Sequence, residues 1–417
     1  MKKLIRKIHL WLSVPFGIII TLVCFSGASL LFEKEINELC RPDLYFVDEV
    51  KAKPLPLDSL MQSVAATLPD SVSITGVTCF PQRERTWQVS LSQPRRASLF
   101  VNPYTGEVTG RNERLPFFDT MFHLHRWLLG ASQTSGGGMP IGKLLVGTST
   151  LVLIVILITG LLMWLTNKHK PLKKSLTICC TRGWGRFWHD LHVAGGIYAT
   201  LFLLAVALTG LTWSFSWYRT GFYSLLGVEN SAEGAAQGGG HGRSGNADSR
   251  SRGEGRAQRD GEGRPQRDGE DRSHRDGEGR SYRRHPYARW QEVYESLAQQ
   301  HPGYRQITLQ EGKASVVPAG RQSLRAADSF EFDRRSGEIT SSKPYSESDR
   351  ATRVRSAVYQ IHVGSWGGLF TRILTFLSVL IGFTLPLTGY YLWIRRISHK
   401  PKSVIRKSFL SFSNDRH

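Results

Sequence analysis

The sequence predicts a membrane α-helical protein: four transmembrane helices, arranged as a duplicated helix pair, with two small α+β modules outside the membrane. Three observations predict it. Residues 10–32, 141–165, 191–217 and 366–394 form four apolar blocks almost free of charge. Each exceeds the roughly 20 residues that a helix needs to cross about 30 Å of hydrocarbon. Basic residues gather beside these blocks, and two of the intervening stretches repeat one order of helix, strands and strand–turn–strand ending.

Composition narrows the function classes. The chain has 417 residues and a formal net charge of +20. In a soluble protein that charge points to nucleic acid or another anionic surface. Here it lies beside apolar blocks, where it orients helices in a bilayer. We therefore expect membrane lipid and no nucleic acid as partner, and a soluble globular enzyme is ruled out as the first reading.

The first block follows Lys2, Lys3, Arg6 and Lys7. Its apolar run is longer than a signal-peptide core and no clean small-x-small cleavage site follows, so it reads as an uncleaved anchor. The loop between blocks two and three holds Lys168, Lys170, Lys173, Lys174, Arg182 and Arg186, and the tail holds Arg395, Arg396, Lys400, Lys402, Arg406 and Lys407. With four alternating helices these segments share one side, and the positive-inside bias places both termini in the cytoplasm. Trp11, Trp164, Trp188 and Trp393 then lie near the inner interface, and Trp127, Trp213, Trp217 and Trp366 near the outer one.

The expected organisation follows. Residues 1–32 are the N-terminal segment and first span; 33–118 the first outer module; 119–165 an interfacial helix and the second span. Residues 166–186 are an inner loop, 187–217 the third span, and 218–355 the second outer module. Residues 356–394 form the fourth span with its lead-in, and 395–417 the tail. In the first module, residues 57–68 read as an amphipathic helix, and 86–92 and 97–102 as strands before a turn at 103–106. In the second, 290–300 read as a helix and 304–310 and 313–318 as strands. The segments NPYTGEV (102–108) and DRRSGEI (333–339) are the clearest internal repeat there. Residues 234–284 repeat RDGEGR-like units with almost no apolar residue, so they read as a disordered linker. Its His241 and His274 read as solvated. Cys40 and Cys79 both face outward and leave a disulfide open. The pattern CxxCH is absent, which excludes the usual attachment of c-type haem.

The histidines carry the chemistry. Four share one local setting: KIHLWLSVPFG with His9, HLHRWLLG with His125, DLHVAGG with His192 and QIHVGSWGG with His362. The spans also share the pairs Ser26–Gly27, Thr159–Gly160, Thr209–Gly210 and Thr388–Gly389. His9 precedes Gly27, and His192 precedes Gly210, by the same 18 residues. Topology puts His9 and His192 near the inner face, and His125 and His362 near the outer face. An imidazole in or beside a membrane helix is a functional expectation by default. The spans hold almost no acidic residue, which serves zinc and proton pumping poorly. Haem suits the pattern better, since its iron takes two axial imidazoles and its ring an apolar slot. We expect two haem b groups, one near each face. His123, beside His125, and His189, one turn before His192, leave the ligand choice open within each cluster. His169, His399 and His417 sit in basic segments and read as ordinary. No GxGxxG, Walker or flavin signature occurs, so electrons would come from a cytoplasmic reductase or a membrane quinol.

The opening KIHLWLSVPFG, the LHRWLLG segment, the DLHVAGG start of the third span, the LTG helix centres and the two NPYTGEV-like modules resemble the PepSY-associated transmembrane helix family. The likeness covers nearly the whole chain apart from the linker, which departs from a compact second module. It implies a bacterial inner-membrane protein with PepSY-like periplasmic modules. It also implies His9, His125, His192 and His362 at the family's histidine positions, and kinship with haem-containing reductases of iron–siderophore complexes. A ferric siderophore or other periplasmic iron chelate is then the expected acceptor, because reduction weakens hard-oxygen chelation. Outer residues Arg126, Trp127, Arg353 and Arg355 are candidates to attract an anionic chelate. Two other readings stay open: a non-enzymatic membrane protein that binds peptide or regulates a protease, and an iron-chelate transporter. Homo-oligomerisation also stays open.

Overall fold

A computed structural model describes residues 2–94, 97–132, 138–166, 175–228, 287–321 and 323–398. The linker, with His241 and His274, and His169, His399 and His417 lie outside the described residues. So do the loop lysines 168–174 and the tail beyond residue 398.

Four helices among the described residues are long and apolar enough to cross a membrane. They are α1 (Lys2–Leu30), α6 (Ile141–Leu165), α7 (Trp184–Ser214) and α11 (Gly368–Ser398). Three are longer than their apolar blocks. Helix α1 begins at Lys2, so its basic residues occupy its first turns. Helix α7 begins seven residues before the block at Trp184, and a π turn at Leu191–Gly195 interrupts it. Helix α11 runs on past Arg395 and Arg396. They pack in a ring: α1 touches α6 and α11, and α7 touches α6 and α11. Close crossing needs small residues. A Cβ on Gly17 of α1 would stand 2.6 Å from the Tyr390 hydroxyl of α11, which donates to the Val14 carbonyl at 2.6 Å. Ile20, Cys24, Ala28, Leu157, Ala199, Leu203 and Val379 form the buried centre of the bundle.

The polar part is one sheet. After α2 (Glu33–Cys40), α3 (Pro42–Tyr45) and α4 (Leu57–Ala66) come β1 (Ile74–Cys79), β2 (Trp87–Leu91), β3 (Ser98–Val101) and β4 (Val108–Arg111). The short α5 (Pro116–Trp127) then leads to α6. The second half follows the same order. Helices α8 (Ser216–Leu225) and α9 (Trp290–Gln300) precede β5 (Gln306–Gln310), β6 (Lys313–Val317), β7 (Asp328–Phe332) and β8 (Ile339–Lys343). Then α10 (Arg350–His362) leads to α11.

Two small α+β modules were the expectation, and the structure joins their strands in one sheet. The eight strands run β4-β3-β2-β1-β5-β6-β7-β8, antiparallel throughout. At the seam Val77 faces Leu309 and Thr78 faces Thr308, whose hydroxyls lie 3.0 Å apart. Alternation sends Val77, Val89, Ile307 and Leu309 to one face, where α4 and α9 cover them in a single core. Leu57 N–H donates to Gln291 Oε1 across the two halves at 2.8 Å. Cys79 belongs to this core and Cys40 is exposed; both are free thiols. Burial pushes the Cys79 thiol well above its ordinary pKa.

The two repeat turns carry matching bonds. Gly106 N–H donates to the Asn102 carbonyl at 2.9 Å and Gly337 N–H to the Asp333 carbonyl at 2.8 Å. Both glycines have φ near +77°, at +77 and +78, a conformation that costs a side-chain-bearing residue energy. The Asn102 and Asp333 side chains accept backbone N–H groups two residues on.

These connections position α5 and α10. Arg85 pairs with Glu38 at 2.6 Å and Arg114 with Glu33 at 2.6 Å, tying α2 to the sheet and to the lead-in of α5. Asp349 caps α10 by accepting from Thr352 N–H at 3.1 Å. Those hydrogen bonds hold the Asp349 carboxyl below its ordinary pKa.

Because one core serves both halves, Trp290→Ala is expected to loosen all eight strands together. Trp290 is fully buried, so the loss is about 3–5 kcal/mol. Hydrogen exchange checks this: protection falls at Val77 and Val89 as well as at Ile307 and Leu309. Loss confined to the second four strands would contradict a shared core.

Candidate functional site

Each of the four motif histidines reaches across to a different helix, and all four land on the same kind of seat. The seat is a carbonyl at position i, a Ser or Thr hydroxyl at i+3 and a glycine at i+4. His9 of α1 places Nδ1 3.1 Å from the Ile156 carbonyl and 3.0 Å from Thr159 Oγ1 on α6. His125 of α5 places Nδ1 3.0 Å from the Val23 carbonyl and 3.4 Å from Ser26 Oγ on α1. His192, in the π turn of α7, sits 3.1 Å from the Leu385 carbonyl and 2.9 Å from Thr388 Oγ1 on α11. His362 of α10 sits 3.0 Å from the Val206 carbonyl and 3.3 Å from Thr209 Oγ1 on α7.

The glycine of each seat makes room for the ring. A Cβ would stand 2.9 Å from His125 Cε1 at Gly27, 3.3 Å from His9 Cε1 at Gly160, 3.0 Å from His362 Cε1 at Gly210 and 3.4 Å from His192 Cε1 at Gly389. The glycine 18 residues after His9 therefore seats His125, not His9 itself. The equal spacing in α1 and α7 sets the rise between two histidine layers at about 27 Å.

The seats also fix the tautomer. A carbonyl only accepts, so each Nδ1 must carry the proton it donates. The seat hydroxyls agree, because each spends its own proton on its helix. Ser26 donates to Leu22 and Val23 carbonyls, Thr159 to Val155 and Ile156, Thr209 to Ala205 and Val206, and Thr388 to Thr384 and Leu385. The neutral imidazole then bears its lone pair on Nε2. A buried imidazole whose Nδ1–H is held by a carbonyl is the form that ligates metals.

The rings meet in two pairs. His9 and His192 have centroids 6.5 Å apart with planes at 88°. His125 and His362 have centroids 6.2 Å apart with planes at 52°, and Trp213 lies 5.0 Å from His362. Both pairs bridge the α1–α7 diagonal of the ring of helices. The first lies at the end remote from the sheet, the second at the sheet end.

The other two histidine candidates join neither pair. His189 Nδ1 contacts Asp190 Oδ1 at 3.1 Å, and Asp190 also accepts from Arg186 at 2.7 Å. The His123 ring lies 5.1 Å from Trp127, tilted at 41°, and faces Asp119 at 3.9 Å. Two residues along a helix turn a side chain about 200°, which carries His123 away from the seat that holds His125.

The donor sets fit an axial pair of imidazoles. Two metal–imidazole bonds of about 2 Å plus the two ring radii separate centroids by about 6 Å, as both pairs are spaced. Among the described residues no three His, Cys, Asp or Glu side chains gather at one point, so a four-ligand zinc centre lacks donors. The serines and threonines of the seats contact the four imidazoles, a partnership that the sequence showed only as recurring Ser/Thr–Gly pairs.

Replacement of the seat glycines by alanine tests the seats. Gly27→Ala and Gly210→Ala push a Cβ into a fixed ring, and each is expected to lower stability by about 1–3 kcal/mol. At Gly389 the 3.4 Å approach is ordinary contact, and a gain of up to about 1 kcal/mol in helix propensity offsets the crowding. Thermal unfolding in detergent checks the ranking; equal shifts at all three positions would contradict it.

No curated protein matches the chain. A family model described as the PepSY-associated TM region matches residues 6–396. With that match over almost its whole length, the chain belongs to the PepSY-associated TM region family.

Proposed function

We propose that this chain carries electrons across a bacterial inner membrane through two haem b groups, to an acceptor on the sheet side. The observation that carries the reading is the two pairs of seated imidazoles, with ring centroids 6.5 and 6.2 Å apart. His9 and His192 would hold one haem, and His125 and His362 the other. Bound haem supplies an iron centre that gains and loses one electron.

The chain's own residues prepare both sites. Nδ1–H donation to a carbonyl makes Nε2 a better donor and stops the ring from turning. The glycines let each ring lie against a neighbouring helix, and the apolar side chains between the layers exclude water. The matched halves are what a duplicated helix pair with two PepSY-like modules would give. The charge at Lys2, Lys3, Arg6, Lys7, Arg186, Arg395 and Arg396 favours a cytoplasmic location for the sheet-remote end, and the sheet is then periplasmic. Electrons enter from a cytoplasmic reductase or a quinol, since the chain carries no nucleotide-binding signature.

For the acceptor we propose a ferric siderophore or similar iron(III) chelate. One electron converts Fe(III) to Fe(II), no other bond need change, and the hard-oxygen chelator then holds the metal more weakly. The enzyme is thus a ferric-chelate reductase.

An absorption spectrum of the purified protein, oxidised and then dithionite-reduced, tests the reading. We expect sharp reduced bands and about two haems per chain. His9→Ala and His192→Ala are each expected to lose the same haem, and His125→Ala and His362→Ala the other. A folded but colourless protein from haem-replete cells would overturn the reading.

A further inference from the structure

The two halves of the bundle differ at the sheet-remote end, where a groove opens between the start of α1 and the end of α6. Its volume is about 210 Å³, and it is lined by Lys2, Lys3 and Arg6 of α1 and by Met163 and Thr166 of α6. Lys2 and Arg6 share the α1 face that carries His9, and Met163 and Thr166 share the α6 face that carries Thr159. The groove therefore continues the contact that seats His9.

No carboxylate answers these cations. The chain has no Asp or Glu from Met1 to Phe32, nor from Thr120 to His189. Among the described residues Asp190 is the one acid at this end, and it is taken by Arg186 at 2.7 Å and His189 at 3.1 Å. The Thr166 hydroxyl donates to the Leu162 carbonyl at 2.8 Å, so the side-chain donors in the groove are the three cations.

The second half of the bundle shows what closes such a groove. As His9 corresponds to His192, so Lys2, Lys3 and Arg6 correspond to Gly185, Arg186 and His189. As Gly160 corresponds to Gly389, so Thr166 corresponds to Arg395. There the Arg395 guanidinium packs against Gly185, where a Cβ would collide with it, and Arg186 and His189 both meet Asp190. One half fills the place with its own side chains and balances their charge. The other leaves it open and positive.

Like charges gathered around a groove repel one another until an anion joins them. We propose that the α1–α6 groove binds the headgroup phosphate of an anionic phospholipid. Basic clefts between membrane helices at the cytoplasmic face take such headgroups, and Lys and Arg make charge-assisted hydrogen bonds to phosphate oxygens. Deeper along the same helices, Ile8 and Trp11 of α1 and Ile158 and Leu162 of α6 are exposed. They offer the acyl chains an apolar surface that a free phosphate would not use. The lipid clasps α1 to α6 beside the His9 seat, and this inference does not depend on the haem reading.

Native mass spectrometry of the full-length protein, with phosphatidylglycerol added in detergent, reads the bound lipid, and circular dichroism checks folding. Wild type is expected to keep one phosphatidylglycerol and to release phosphatidylcholine, whose choline meets the three cations. Arg6→Gln is expected to weaken retention about tenfold, the loss of one charged hydrogen bond. Lys7→Gln removes the same charge outside the groove and is expected to leave retention unchanged. Lys2→Gly combined with Thr166→Arg copies the second half at constant net charge and is expected to lose the lipid. Equal effects of Arg6→Gln and Lys7→Gln, or retention in the folded double variant, would overturn the proposal in favour of diffuse charge. Displacement of the lipid by inorganic phosphate would assign the groove to a free anion, and loss of haem instead of lipid in Arg6→Gln would assign it to haem carboxylates; either overturns the proposal. So does wild type that retains no phosphatidylglycerol.

Discussion

The imidazole Nδ1–H bond to a carbonyl one helix away is the interaction on which the rest of the structure depends. It recurs four times with nearly one length, 3.0 to 3.1 Å. Each bond satisfies a polar group inside an apolar bundle, where an unmet donor costs several kcal/mol or about that order. Each also links two helices, so the seats act as cross-ties. His9 ties α1 to α6, His192 ties α7 to α11, and the other two tie α5 to α1 and α10 to α7. The glycine is part of the bond, because a Cβ there would meet the ring at 2.9 to 3.4 Å.

The sheet does for the histidine pair at its own end what the bundle does for the pair at the remote end. His125 and His362 sit on short helices that follow β4 and β8, the two edges of the sheet. The β1–β5 seam and the shared core of α4 and α9 make the two four-strand halves one body. The sheet-end pair is therefore set by the sheet and by the seats on α1 and α7 together. The sheet-remote pair rides on α1 and α7 directly. Helices α1 and α7 thus bear both layers, as carriers of histidines at one end and as seats at the other.

Much of this was legible in the sequence. The spans were, because apolar runs of such length have few other uses. The turns at Asn102–Val108 and Asp333–Ile339 were, because an Asx residue four before a glycine leaves the backbone little choice. His9, His125, His192 and His362 stood out through their shared setting. That His192 rather than His189 meets His9 was not legible, since both lie on one helix face by spacing. The partnership of each histidine with a particular Ser/Thr–Gly pair was hidden too, because it depends on which helices are neighbours. The seam was hidden for a similar reason: β1 and β5 alternate like any half-buried strand, and nothing in them marks an edge that will be paired.

The central proposal is that the four seated imidazoles, paired two and two, would hold two irons through Nε2. Electron paramagnetic resonance of the oxidised, full-length protein tests it most directly. The account predicts two low-spin ferric signals of bis-imidazole type, distinct from each other because the ring planes cross at 88° in one pair and 52° in the other. High-spin iron, or a single signal from protein that carries two haems with one of them ligated by other residues, would contradict it.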